Sequence, residues 1–121
     1  MPRMSPLDVA PDDAWLSLLG VAPQTEEISG DEYVRELRFP ITDTDELHLT
    51  WDQTDQSVRI RLNSGTAVVV DLFREQATLL TAEVNGTQRF IVLKYRAEGC
   101  TGTTRVQVQP AFAITDTFLR T

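Results

Sequence analysis

Apolar and polar residues alternate along most of this chain. Val58, Ile60 and Leu62 stand at every second position, with Arg59 and Arg61 between them. Successive side chains of a strand point to opposite faces, so this stretch reads as an antiparallel strand with one dry and one wet face. The same period of two sets Tyr33, Arg35, Leu37 and Phe39 against Val34, Glu36 and Arg38, and Pro40 ends the run. Ser29 and Glu32 have the spacing of a helix capping box, a rival reading that the alternation outweighs. Leu47, Leu49 and Trp51 share a face, with His48 and Thr50 on the other. Residues 52–55 and 63–65 are turn formers, and 67–73 reads as the strand that follows them.

The period is ambiguous between 72 and 84. Phe73, Ala77, Leu80 and Val84 have helical spacing, while Leu80, Ala82 and Val84 alternate. Asn85-Gly86 decides, because this dipeptide is a strong two-residue hairpin signal and needs a strand on each side. Residues 78–84 and 88–96 are therefore read as a hairpin, with 74–76 as the turn before it. Phe90, Ile91, Val92 and Leu93 are apolar on both faces, which predicts a central strand or one covered by another element. Residues 98–102 form a loop, Val106 and Val108 alternate with Arg105, Gln107 and Gln109, and Pro110 ends that strand. A last strand covers 111–119.

Residues 1–31 follow another pattern, broken by Pro2, Pro6, Pro11, Gly20 and Pro23. One short helix fits there. Asp12 or Asp13 caps it, Trp15, Leu18 and Leu19 form its apolar stripe, and Gly20 ends it. A helix of about two turns is unstable alone, so it must dock, with Trp15 as the anchor. Residues 24–31 read as a loop. The expected fold is mainly β: a single antiparallel meander of about seven or eight strands, arranged as a curved sheet, barrel or sandwich. An arm, 1–31, carries the short N-terminal helix, and 32–121 form the antiparallel β domain.

Composition limits what such a domain does. The chain of 121 residues is one domain's length, and no apolar run approaches the ~20 residues of a membrane span. The N-terminus lacks the basic-then-apolar pattern of a secretory signal. The lone Cys100 has no disulfide partner in the chain, so a reducing, cytoplasmic setting is expected. For the same reason Asn85-Gly86-Thr87 is read as a turn rather than a glycosylation site. Ten arginines against one lysine fit a genome rich in GC or life in salt, and the modest acid excess favours the genome. A net charge of −7 argues against nucleic acid and against an anionic membrane as partners. The charge is uneven: residues 1–56 hold 13 acids and 3 bases, whereas 57–121 hold 5 acids and 8 bases. The two halves either neutralise each other or serve something else.

Candidate chemistry is sparse. His48 is the only histidine, so one chain cannot build a multi-histidine metal site, and it reads as an exposed strand residue. Cys100 lies between Gly99 and Gly102 in a turn, near Arg96 and Arg105 in sequence; no spacing supports a pair with His48. Asp43, Asp45 and Glu46, with Asp52 and Asp55 beyond, form a carboxylate run without calcium-loop spacing. Arg59, Arg61, Arg89, Lys94, Arg96 and Arg105 sit on alternating strand positions and would line one Arg/Gln face if those faces coincide.

No cofactor, metal or catalytic set is expected. The leading reading is a non-catalytic acidic domain that binds another protein, such as a bacterial inhibitor, immunity or antitoxin-type protein. Asp43, Asp45, Glu46, Asp52 and Asp55 would then meet a basic partner. Two alternatives stay open. One is a small-ligand β-barrel, or an enzyme, that takes an anion on Arg59, Arg61, Arg89, Lys94, Arg96 and Arg105. The other is a structural subunit that associates with itself as a homo-oligomer.

Overall fold

A computed structural model describes residues 7–26 and 33–120. Ten strands and one helix occur among them: β1 (Asp8–Val9), α1 (Asp12–Leu19), β2 (Gln24–Thr25), β3 (Val34–Pro40), β4 (Asp45–Asp52), β5 (Ser57–Ser64), β6 (Ala67–Arg74), β7 (Ala77–Asn85), β8 (Gln88–Ala97), β9 (Cys100–Gln109) and β10 (Ala113–Arg120). They form two five-stranded sheets, ordered β2-β3-β4-β5-β6 and β1-β7-β8-β9-β10, which do not close into a barrel. The expected meander is thus two meanders in succession. One strand departs from antiparallel pairing: β1 runs parallel to β7, with Asp8 opposite Leu79. Only Glu75 and Gln76 separate β6 in one sheet from β7 in the other. Gln76 takes a left-handed backbone there, at φ 56°.

The alternation in sequence becomes two facing apolar layers. Leu37, Phe39, Leu47, Leu49, Trp51, Val58 and Ile60 come from the first sheet, and Leu80, Ala82, Ile91, Leu93, Tyr95, Val106 and Val108 from the second, all in one buried core. Removing this much apolar surface from water is the main favourable term in folding. The hairpin at Asn85-Gly86 forms where expected, with Gly86 at φ 63°, a conformation that suits glycine. β8 is central in its sheet, and its Ile91, Val92 and Leu93 are all buried.

Three local expectations need correction. The helix spans Asp12–Leu19, but Pro11 is its N-cap and no side chain caps it. Asp12 and Asp13 lie in its first turn instead, where negative charge suits the helix dipole. Gln24 and Thr25 are not loop: they pair with Glu36 and Arg35 as a short edge strand. The loop at 98–102 shrinks to Glu98-Gly99, because β9 already begins at Cys100. The capping-box residues Ser29 and Glu32 lie outside the described residues.

Two contacts hold the layers together at opposite sides. On one side Trp15 is fully buried and stacks on Trp51, with ring centroids 5.9 Å apart. Its indole N–H donates to the Ala10 carbonyl at 2.9 Å. On the other side Arg74, at the end of β6, donates to Asp116 of β10 at 2.8 Å. Tyr95 O–H donates to the same carboxylate at 3.1 Å, and Thr104 also bonds it. The Arg74 guanidinium lies over the Tyr95 ring, 5.2 Å from its centroid. Burial alone would raise the pKa of Asp116, but the hydrogen bonds from Thr104, Arg74 and Tyr95 outweigh it and hold the carboxyl below its ordinary value.

Candidate functional site

The outer face of the β2-to-β6 sheet carries the densest polar chemistry among the described residues. Strand register sets its rows. Glu36, Thr50, Arg59 and Phe73 stand side by side across β3, β4, β5 and β6. The next row is Arg38, His48, Arg61 and Asp71. Every second residue of each strand points outward, so short alternating sequences place these groups on one surface.

His48 sits at the centre of this surface. It is not exposed, as its polar-face position suggests, but only 7% accessible. Its Nε2 lies 2.9 Å from a Glu36 carboxylate oxygen. Glu36 also accepts from Arg38 Nε at 3.1 Å, and Arg38 reaches Glu46 at 2.8 Å. Burial pushes the His48 pKa below its ordinary value, with the Arg38 and Arg61 charges acting in the same sense; the Glu36 hydrogen bond and charge oppose this but do not prevail. The ring is therefore neutral at pH 7, and Nε2–H donates to Glu36.

Arg59 forms a fork on Asp71, with Nε–Oδ1 at 2.8 Å and Nη2–Oδ2 at 2.7 Å. Bidentate pairing of this kind is among the stronger side-chain contacts. It holds the Asp71 carboxyl below its ordinary pKa and raises that of Arg59. Asp71 stands directly opposite Arg61, yet it turns diagonally to Arg59. Two depressions border the face. One, of about 250 Å³, lies against Val21, Ala22, Gln24, Glu36 and Arg38. The other, of about 280 Å³, runs past Thr50, Asp52, Asp55, Ser57, Arg59, Arg61 and Phe73.

The carboxylate run does not fold into one cluster. Asp43, Asp45 and Glu46 lie at the β3–β4 turn, whereas Asp52 and Asp55 lie at the far end of β4. Seven residue steps of strand separate Asp45 from Asp52, roughly 23 Å at the usual rise. Asp45 accepts from Thr44 Oγ1 at 3.1 Å, and Asp52 accepts the Asp55 N–H at 3.0 Å. The basic residues divide as well. Arg59 and Arg61 are on the outer face just described, and register puts Lys94, Arg96 and Arg105 on the outer face of the other sheet. Arg105 pairs with Glu83 at 3.0 Å and covers the Phe90 ring at 4.5 Å. Arg89 turns to the helix and donates to the Leu18 carbonyl. The arginines do not line an interior, because apolar side chains fill the space between the sheets. Cys100 opens β9 and His48 lies on β4, so they belong to different sheets. No group of three or more metal-ligating side chains occurs among the described residues.

The ion pairs bear on the charge balance of the two halves. Asp12–Arg35, Glu36–Arg38, Glu46–Arg38 and Glu36–His48 lie within residues 1–56. Asp71–Arg59, Asp116–Arg74 and Glu83–Arg105 lie within 57–121. Among the described residues, none of these pairs joins the acidic half to the basic half.

No family model matches this sequence, and no curated protein does. In fold the chain is similar to a solved structure described as a contact-dependent growth inhibition toxin–immunity protein complex from Klebsiella pneumoniae 342. The TM-score is 0.77 at 7% identity, and the match covers 96% of this chain and 100% of the other. At that identity the likeness shows a shared fold.

Proposed function

We propose that this chain is a non-catalytic protein-binding domain of the immunity type, which neutralises a basic partner by covering its surface. The observation that carries this reading is the pattern of ion pairs. None of the ion pairs described above joins the acidic half to the basic half, and Asp43, Asp45, Asp52 and Asp55 take part in none of them, which leaves these four for a partner. These acids bracket β4 at its two ends. A standard interface buries about 800 Å² per partner, a patch roughly 28 Å on a side, so one basic protein laid along β4 meets both ends. The resemblance to a chain of a toxin–immunity complex supports the same class. Charge of this kind speeds encounter and excludes wrong partners more than it adds affinity.

The test is co-expression with the product of the adjacent gene, followed by purification and calorimetry. A complex that weakens steeply between about 0.05 M and 0.5 M salt is expected. Neutralising Asp43, Asp45, Asp52 and Asp55 to the amides should slow association. No complex at low salt, or one indifferent to salt, would overturn the reading.

A second reading rests on the edges. β6 and β10 end their sheets, and Val68, Val69, Phe118 and Leu119 are each more than half exposed. Open strand edges with apolar side chains favour pairing between copies. Light scattering that shows a stable dimer would favour self-association; a monomer would remove it.

A further inference from the structure

We propose that Arg61, which lines the groove beside Arg59 and Phe73, is a receptor for a single carboxylate, supplied by an acidic side chain of the partner protein. This rests on the protein-binding reading above and names one contact within it.

The argument begins with an unmet hydrogen bond. Arg61 Nε is buried and has no acceptor. Among the described residues, the whole guanidinium makes no hydrogen bond or ion pair, whereas Arg35, Arg38, Arg59, Arg74 and Arg105 each hold a carboxylate. A buried donor without an acceptor is costly and uncommon, so such an atom calls for an explanation. Arg61 is not short of a neighbour. Asp71 stands opposite it in register, but that carboxylate turns to Arg59 and makes no hydrogen bond to Arg61. On its other side stands His48, whose neutral ring already donates to Glu36. A planar fork is thus held at the edge of a depression of about 280 Å³, room for one side chain.

The occupant must be an anion with two coplanar oxygens, because that is what a guanidinium fork fits. A dianionic phosphate suits the groove less well, since Asp52 and Asp55 share it and would repel the extra charge. A glutamate or aspartate side chain carries one charge and matches the fork. Arginines recur among the anchors of protein interfaces.

His48 is the only histidine, so its ring resonances report on the site without ambiguity. The experiment titrates the intact protein with a blocked Ala-Glu-Ala peptide, its glutamine counterpart, and inorganic phosphate, at matched ionic strength, and follows His48 and Arg61 Nε–H by NMR. The glutamate peptide should move both signals and the glutamine peptide neither. Its carboxylate should also raise the His48 pKa, by cancelling part of the Arg61 charge. Arg61→Gln should abolish the response, and Arg61→Lys should weaken it by losing the fork. Asp71→Asn should strengthen it, because Arg59 is then released as a second fork; misfolding would not produce a gain. Equal shifts from the two peptides, an unchanged response in R61Q, no gain in D71N, or a stronger response to phosphate would each overturn the proposal. That failure would leave the protein-binding reading standing, which falls only if no complex forms with the neighbour-encoded protein.

Discussion

Gly102 shows how a single missing carbon shapes this protein. It lies opposite Tyr95, and a Cβ there would come within 2.3 Å of the tyrosine Cζ. The ring cannot step aside without giving up its bond to Asp116 and its contact with Phe118. Gly102→Ala should therefore destabilise the fold by about 1–3 kcal/mol in urea unfolding, as overpacking does. His48 gives the second expectation at this scale. Its folded pKa lies below the ordinary 6.5, so the unfolded chain binds the proton more readily. Stability from this group is complete above about pH 6.5 and falls as pH drops towards the folded pKa. His48→Gln should flatten the loss of stability between pH 7.5 and 5.5. Equal slopes for the two proteins would show that the ring is not held neutral.

Among the elements, the strands were legible and the contacts between them were not. Period two in 58–62 and 105–109, and Asn85-Gly86 in the middle of an ambiguous run, are local signals that survive in the fold. The sequence places His48 on a polar face without showing its burial, because alternation tells which face a residue takes, not what covers it. Glu36 and Arg38, which cover it, lie on β3, and only the β3–β4 register brings them there. The same reason hid the split of the acidic run: consecutive numbers around a strand become opposite ends of it. β1 and β2 leave no mark in the pattern, because two residues carry no period. The helix is legible from Trp15, Leu18 and Leu19, yet its two turns have no stability of their own. Trp15→Ala should cost about 3–5 kcal/mol, as for other buried aromatics. Leu16→Ala, at a residue 54% exposed on the same helix, should stay within about 0.5 kcal/mol. Similar losses for both would mean that the helix does not dock through one face.

For the whole molecule, Arg74 and Asp116 tie two sheets whose neighbouring edges, β6 and β10, share no ladder. Asp116→Asn keeps the shape but removes the charge that gathers Arg74, Thr104 and Tyr95. A loss of about 1.5–3 kcal/mol is expected, the range for hydrogen bonds to a charged group. Since the Asp116 carboxyl is held below its ordinary pKa, its contribution is present above about pH 4 and disappears as pH falls through the folded value. The variant should thus be less stable than the parent at neutral pH and close to it in strong acid. A constant gap across that range would assign the loss to packing.

The path of the chain has a consequence in time. β3 to β6 are joined by short turns, and their pairing needs nothing beyond Arg74. β1 must wait for β7, some seventy residues later, because Asp8 pairs with Leu79. Local pairings form quickly and distant ones slowly. Pulse-labelling hydrogen exchange during refolding should protect the amides of β4 and β5 before that of Ala10, which bonds Leu80 across the late junction. On the ribosome, β1 is made some seventy residues before the strand it joins, and it waits beside a finished first sheet until β7 arrives to receive it.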